Sequence, residues 1–239
     1  MKKNIITVLG DSLSMARVEE GISIRDTYPF QLNELLGKDF YVVNRSKRGN
    51  TSVVQSSTQN LYDDIETSES KVIIIQIGIC DCSPRIISKY ERVVLKYVLP
   101  KTIARIYIKV KSKYRYFFTK YLPMTYVSMA LFEQCYEKIL SSSLKLDGIV
   151  KVIVINIADT NLKNKNRSFN FAKNIFKYNS IILKLVESKN NIYLYDLHTK
   201  TKDRPELLLS DGIHIGFNSH EIIATDLAKY IGDICKNNA

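Results

Sequence analysis

Five short, unbroken apolar runs rich in β-branched residues constrain the fold of this chain more than any other feature. They cover residues 4–9, 40–43, 71–77, 150–157 and 192–197. Runs of this length without polar alternation are typical of parallel strands buried on both faces. They therefore predict a mostly parallel sheet of five strands at the centre of the protein.

Helical patterns separate the runs, with apolar residues at helical spacing over residues 28–36, 169–186 and 219–234. Strands that alternate with helices form βαβ units, whose crossover helices cover both faces of the sheet. We therefore expect a three-layer α/β/α fold, flavodoxin-like, in a single domain over residues 1–239. The length of 239 residues suits one domain of this class. No apolar run reaches 18 residues, so no membrane span is predicted.

The stretch between the third and fourth runs is far longer than a βα connection needs. Residues 84–147 contain several helical patterns and the prolines Pro100 and Pro123, which would separate them. We interpret this stretch as a basic helical insertion within the domain.

Two motifs at opposite ends of the chain carry residues suited to nucleophilic catalysis. Ser12 lies in the sequence Gly-Asp-Ser-Leu-Ser directly after the first run. A serine at such a strand-to-helix turn is close to backbone N–H groups that favour developing negative charge. Asp211 and His214 stand three positions apart before the last helix, so one loop can orient both. Taken singly, Ser12 is equally explained as a helix cap, and Asp211 and His214 as a turn with an incidental histidine.

Two further loops follow the second and third runs, at the edge where parallel sheets place their sites. Gly49 lies in the sequence Arg-Gly-Asn-Thr at residues 48–51, where a glycine brings a bare N–H close to a substrate. The sequence Gly-Ile-Cys-Asp at residues 78–81 follows the third run.

The order of these motifs resembles that of the SGNH/GDSL hydrolase family over nearly the whole chain outside the insertion. Residues 10–12 are similar to the family's first block, Gly49 to its second, and Asp211 with His214 to its last. The resemblance implies a Ser12–His214–Asp211 triad and an oxyanion hole built from the N–H groups of Ser12 and Gly49. The third block departs from the family's Gly-x-Asn-Asp, because Cys80 replaces the asparagine and a thiol is a weak donor. Asn50 is the alternative side-chain donor.

This resemblance implies acyl-ester hydrolysis, as an esterase or a carbohydrate O-deacetylase, without a metal or organic cofactor. One alternative is an O-acetyltransferase that modifies a surface polysaccharide or its precursor, because the same triad serves transfer when water is excluded. The other is a binding module with weakened catalysis, suggested by the missing asparagine.

The remaining histidines and the cysteines are assigned lesser roles. His220 is expected to cap or pack the last helix, and His198 is a candidate substrate contact in a solvated loop. The four cysteines show no Cys-x-x-Cys pair and no zinc spacing, so free thiols are predicted. Cys80 ranks below Ser12 as a nucleophile because nothing marks its thiol as acidic.

The net charge of +11 is concentrated in one part of the chain. Residues 84–121 contain eleven basic side chains and one acidic side chain, a net charge of +10, with tyrosines and phenylalanines between them. This pattern predicts either a solvated helix face or a dock for an anionic glycan or membrane surface, whereas no nucleic-acid-binding motif is present.

The apolar stretch at residues 5–9 is too short for a secretory signal, so the predicted location is the cytoplasm, with peripheral membrane association as an extension.

Overall fold

A five-stranded parallel sheet forms the centre of the protein in the computed structural model, which describes residues 4–236. The strands are β1 (Asn4–Gly10), β2 (Phe40–Asn44), β3 (Ser70–Gln76), β4 (Lys151–Ile155) and β5 (Ile192–Tyr195). Their order in the sheet is β2-β1-β3-β4-β5, which is the flavodoxin-like order. The predicted fold class is confirmed, and each strand matches one predicted run.

Burial explains why the apolar runs predicted the strands well. Residues 72–75 of β3 and residues 152–154 of β4 are fully buried, because helices cover both sides of the sheet. In the register, Ile6 pairs with Val72 and Val8 with Ile74, so apolar side chains continue from strand to strand.

Strand β4 ends two residues earlier than predicted because the Asn179 side chain, and not a neighbouring strand, takes the backbone hydrogen bonds of Ile157. The Asn179 amide donates to the Ile157 carbonyl oxygen and accepts from the Ile157 N–H, each at 2.9 Å. Strand β5 also ends two residues early, at Tyr195, because the Asp196 side chain accepts from the Thr199 N–H and begins a helix there.

Twelve α-helices connect or cover the described strands. They are α1 (Tyr28–Leu36), α2 (Ser52–Gln55), α3 (Thr58–Leu61), α4 (Ile79–Cys82), α5 (Lys89–Tyr97), α6 (Lys101–Lys113), α7 (Arg115–Tyr121), α8 (Met129–Leu144), α9 (Leu162–Arg167), α10 (Phe171–Glu187), α11 (Leu197–Thr201) and α12 (Phe217–Lys236). Helices α1 and α12 pack together on one face of the sheet, and α8 packs with α2 and α10 on the other. Within residues 4–236, no helix combines the length and apolarity that a membrane crossing requires.

The predicted insertion, residues 84–147, contains two kinds of helix. Helix α8 buries Phe132, Tyr136, Ile139 and Leu140 against the core, as a crossover helix between two parallel strands does. Helices α5, α6 and α7, called the outer helices below, bury few side chains: Ala104 in α6 and Thr119 in α7. The stretch outside the three-layer pattern is therefore the part that precedes α8.

Candidate active site

Ser12 lies at the carboxyl edge of the sheet, on a single 3₁₀ turn that begins where β1 ends. The Asp11 carboxylate caps this turn by accepting the Leu13 N–H at 2.9 Å. The Asp11 N–H donates to the Gln76 carbonyl oxygen at 3.2 Å and so attaches the turn to the end of β3. The sheet and the cap together fix the position of Ser12.

The loop before α12 places an imidazole against Ser12. His214 Nε2 lies 2.9 Å from Ser12 Oγ, and His214 Nδ1 lies 2.5 Å from Asp211 Oδ2. The other oxygen of Asp211 accepts the N–H groups of Ile213 at 2.9 Å and His214 at 3.0 Å. A spacing of three residues thus lets one carboxylate orient both the backbone and the ring of His214.

The ionisation of Asp211 follows from these contacts. Its partial burial opposes ionisation, but the hydrogen bonds from the His214 ring and from two backbone N–H groups outweigh burial and lower the pKa of Asp211 well below its ordinary value. A carboxylate at this position keeps the proton on Nδ1 and leaves the lone pair of Nε2 facing Ser12. Ser12, His214 and Asp211 therefore form one hydrogen-bonded chain suited to proton transfer from a hydroxyl.

Two residues of the segment that follows β4 hold the loop of residues 211–214 in place. Asn164 Nδ2 donates to the Asp211 carbonyl oxygen at 2.6 Å, and Thr160 Oγ1 donates to the Gly212 carbonyl oxygen at 2.7 Å. Neither residue was identified from the sequence, because no local pattern relates residues about fifty positions apart.

Arg17 is the second feature that the sequence did not reveal. Its Nη1 lies 3.0 Å from His214 Nε2, while its Nε donates to Glu20 Oε1 at 2.8 Å. An arginine is protonated throughout the ordinary pH range and can only donate. The single lone pair of neutral Nε2 therefore faces two donors, the Ser12 hydroxyl and the Arg17 guanidinium.

Gly49 lies in a turn closed by a hydrogen bond from the Asn50 N–H to the Lys47 carbonyl oxygen, 3.1 Å long. Its φ of +71° is in the left-handed region, which favours glycine. Within residues 4–236, the N–H groups of Gly49 and Ser12 donate to no protein acceptor. Both N–H groups are therefore available to a ligand.

Asn50 and Cys80 are less suited to donate to a substrate oxygen. Both hydrogens of the buried Asn50 amide are engaged, with the Gly10 carbonyl oxygen at 3.1 Å and Gln55 Oε1 at 2.9 Å. Burial, followed by the neighbouring Asp11 carboxylate, raises the pKa of the Cys80 thiol to about 12. Cys80 is therefore a neutral thiol near pH 7, which is neither a strong donor nor an activated nucleophile.

The aspartate beside Cys80 connects the third motif to the second. Asp81 Oδ1 accepts both the Ser52 N–H at 2.9 Å and the Ser52 hydroxyl at 2.7 Å. This buried link holds the segment after Gly49 against the segment after β3. The two motifs thus form one wall of the site.

The other histidines have contacts of their own. His220 is buried, stacks on Tyr28, and accepts the Tyr28 N–H through Nδ1 at 3.1 Å, consistent with the predicted packing role. The half-buried His198 lies on α11, where its N–H donates to Asn156 Oδ1 at 2.8 Å.

The cysteines show no metal or disulfide chemistry in the part of the chain that is described. Cys80, Cys82 and Cys135 are free thiols, as predicted, and the side chain of Cys235 lies outside the described part. No group of three His, Cys, Asp or Glu side chains with metal-binding geometry occurs among the described residues.

Known proteins resemble this chain in structure but not detectably in sequence. No protein-family model matches the chain, and no curated protein matches its sequence. The lipase/acylhydrolase from Enterococcus faecalis aligns with a TM-score of 0.65 and 13% identity, covering 95% of both chains. A catalytic mutant of an acetylxylan esterase from Geobacillus stearothermophilus aligns with a TM-score of 0.64 and 16% identity, covering 96% of this chain and 94% of that one. TesA aligns with a TM-score of 0.62 and 14% identity, covering 97% and 99%.

The chain has the fold of the SGNH/GDSL hydrolases. In the Geobacillus esterase, the mutants described as catalytic replace a serine, an aspartate or a histidine, and its aspartate and histidine stand three positions apart. Asp211 and His214 have the same spacing here. In this chain, Ser12 and His214 meet at the carboxyl edge of the sheet.

Two buried carboxyls, Asp11 and Asp81, hold the turns of the candidate site at an energetic cost. Burial is the main cause that raises the pKa of Asp11 to about 7 and the pKa of Asp81 to about 6. A carboxyl whose pKa is raised by folding stabilises the folded state below its unfolded pKa, and this contribution is lost as pH rises through the folded pKa. The contribution of Asp11 to the free energy of unfolding should therefore fall as pH rises from about 4 to about 7.

We predict that Asp11→Asn removes this part of the pH dependence. The amide oxygen can still accept the Leu13 N–H, but the side chain cannot ionise. In urea unfolding, the free energy of unfolding of the variant relative to wild type should increase by about 1–3 kcal/mol as pH rises from 5 to 8. Exposed Asp147→Asn is the matched control and should show no such gain. Parallel pH profiles for wild type and Asp11→Asn would contradict the assignment.

Proposed function

We propose that this protein is a serine-dependent acyl-ester hydrolase with Ser12 as nucleophile. The observation that carries the proposal is the hydrogen-bonded chain from Ser12 Oγ through His214 to Asp211, with links of 2.9 Å and 2.5 Å. It lies at the carboxyl edge of the sheet, in a fold shared with lipases and acetylxylan esterases. A nucleophile next to a base, with the base oriented by a third group, is the arrangement that acyl transfer requires.

The reaction has two steps. His214 Nε2 takes the proton from Ser12 as Oγ attacks the ester carbonyl, and the imidazolium then gives that proton to the departing alcohol. This step leaves an acyl group on Ser12. Water attacks the acyl-enzyme with the same help from His214 and releases the acid. Asp211 stabilises the imidazolium in both steps.

The oxyanion hole is assigned to backbone donors. The N–H groups of Ser12 and Gly49, free of protein acceptors among the described residues, stabilise the negative oxygen of the tetrahedral intermediate. Cys80 stands where the family has an asparagine. Loss of one good donor costs about 2.7–4 kcal/mol of transition-state stabilisation, so we expect modest turnover.

The substrate we favour is an acetyl ester of a carbohydrate or another polar alcohol. A cleft of about 320 Å³ is lined by Arg17, which contacts His214, and by Val18, Glu19, Glu20 and Arg48. Polar and charged walls suit hydroxyl-rich groups better than a long alkyl chain. The acetylxylan esterases among the structural neighbours support the same choice.

Two alternatives make different predictions for simple assays. A weakened binding module is favoured by Cys80 and by Arg17, which occupies the lone pair that the base needs. An O-acetyltransferase would release the acetyl group from acetyl-CoA only when a sugar acceptor is added. Side-chain exposures of 14% for His214 and 34% for Asp211 leave the site open to water, which favours hydrolysis.

We predict that Ser12→Ala and His214→Ala each fold normally and lose about 10⁴-fold or more in kcat, because a triad acts as a unit. The assay is hydrolysis of a panel of acetyl esters, with circular dichroism as the check on folding. Ser180→Ala, an exposed position on α10, is the matched control and should retain turnover within about threefold. Near wild-type turnover by Ser12→Ala would overturn the nucleophile assignment.

The Cys80 position provides a second test. Cys80→Ser should retain activity, and Cys80→Asn should raise kcat by about 10-fold or more, because an amide is a better oxyanion donor than a thiol. Cys135→Asn, on α8, is the control for a change of the same chemistry elsewhere. Complete inactivation of correctly folded Cys80→Ser would instead assign the thiol a direct role.

Arg17 provides a third test. Its positive charge opposes the imidazolium that forms on His214, so Arg17→Met should accelerate hydrolysis of a small neutral ester by about 10-fold, the scale of a 1.4 kcal/mol effect. Glu20→Gln removes the carboxylate that offsets Arg17 and should slow the reaction. A large loss of kcat in Arg17→Met would show that Arg17 assists catalysis.

A further inference from the structure

The outer helices expose an unusual concentration of apolar side chains. Fifteen of the 28 exposed large hydrophobic or aromatic residues in the described part of the chain lie between residues 90 and 122. Examples are Tyr90, Tyr97 and Val98, with exposures of 86%, 70% and 70%. Such clusters mark interaction surfaces rather than ordinary solvated faces.

Helix α6 shows how this surface is organised. Ile103, Ile106 and Val110 share one side of the helix by their spacing and are 51%, 63% and 51% exposed. Tyr114, Phe117 and Tyr121 continue the exposed apolar surface into α7. A helix that folds against its own domain would bury this side, as α8 does.

Cations form a second row along α6. Arg105, Lys109 and Lys113 are four positions apart, so they share one side, and with Arg167 they line an open cleft of about 670 Å³. Arg167 Nη2 donates to Ser112 Oγ at 2.7 Å, which brings it beside this row. The four cations are therefore held around one opening.

A single carboxylate, that of Glu91, offsets the positive charge of this surface from within. Glu91, the single acidic residue of 84–121, accepts from Lys111 at 2.5 Å and from Tyr107 at 2.6 Å. The contact with Lys111, followed by a hydrogen bond from the Ser88 N–H and the contact with Tyr107, lowers the pKa of Glu91 to about 2. Among the described residues, no other Lys or Arg of this stretch forms an ion pair with a carboxylate. The surface thus keeps a strong net positive charge.

We propose that the outer helices dock this protein on an anionic phospholipid bilayer. Phosphate-bearing headgroups complement the cations, while the neighbouring aliphatic side chains enter the acyl boundary. A lysine lies over a tyrosine ring at four points of the outer helices: Lys96 with Tyr97, Lys111 with Tyr107, Lys113 with Tyr114 and Lys120 with Tyr121. Aromatic rings next to cations suit the headgroup level of a membrane.

The dock is connected to the candidate active site. Arg85 Nη2 donates to the Cys80 carbonyl oxygen at 3.1 Å, and Arg115 Nη2 donates to the Pro84 carbonyl oxygen at 2.7 Å. The outer helices therefore begin beside the wall that carries Cys80. Docking would therefore anchor the protein through helices attached to this wall.

Vesicle co-sedimentation tests the proposal without reference to turnover. Wild-type protein should bind phosphatidylcholine vesicles containing 30% phosphatidylglycerol at low salt and should not bind pure phosphatidylcholine. Raising salt from about 0.05 to 0.5 M should weaken binding at least tenfold, because surface charges become screened. Arg105→Glu/Lys109→Glu/Lys113→Glu should weaken binding by about 100-fold. Ile103→Ser/Ile106→Ser/Val110→Ser should weaken it with the salt dependence retained.

The matched control makes the same charge change on the body of the domain. Lys138→Glu/Lys202→Glu/Lys229→Glu replaces three exposed lysines on α8, after α11 and on α12, and should bind vesicles within about twofold of wild type. Equal loss in the two charge-reversal variants, that of α6 and that of the domain body, would overturn the proposal, and so would no binding of wild type to anionic vesicles. Binding to soluble polygalacturonate without binding to vesicles would assign the surface to acidic polysaccharides instead. Thermal unfolding monitors the fold of each variant.

Discussion

The hydrogen bond between Ser12 and His214 joins residues 202 positions apart, and the arrangement of the site depends on it. A parallel sheet makes this contact possible, because the loops at the carboxyl ends of its strands meet at one edge. Asp11 fixes the serine turn against β3, while Asn164 fixes the histidine loop against the segment after β4. Neighbouring strands therefore hold the two halves of the chain in register with each other.

The sequence was sufficient for the fold and for the chemistry of single loops. Buried strands need unbroken apolar runs, so β1, β3 and β4 were predictable from burial, and the edge strands β2 and β5 carry shorter runs of the same kind although they are less buried. A spacing of three residues was enough to pair Asp211 with His214. Contacts set by tertiary packing were beyond its reach. Arg17 contacts His214 across 197 positions, and the Asn179 side chain that ends β4 comes from a helix packed beside it. No local pattern encodes either contact.

The insertion shows a different limit of sequence reasoning. Composition located the positive charge and the interleaved aromatic residues correctly, but periodicity does not distinguish a helix that packs on the core from one that faces solvent. Helix α8 and helix α6 both alternate apolar and polar residues, yet α8 buries Phe132 and Tyr136 while α6 leaves Ile103 and Ile106 exposed. The difference lies in what covers each helix, which only the three-dimensional structure reveals.

Covalent labelling tests the central claim, that Ser12 is a nucleophile activated by His214, most directly. The intact protein would be treated with a fluorophosphonate, digested, and analysed by peptide mass spectrometry. One phosphonylated residue, Ser12, is expected, and its labelling should disappear in His214→Ala. Labelling of Cys80 or another residue, or no labelling of a correctly folded protein, would contradict it.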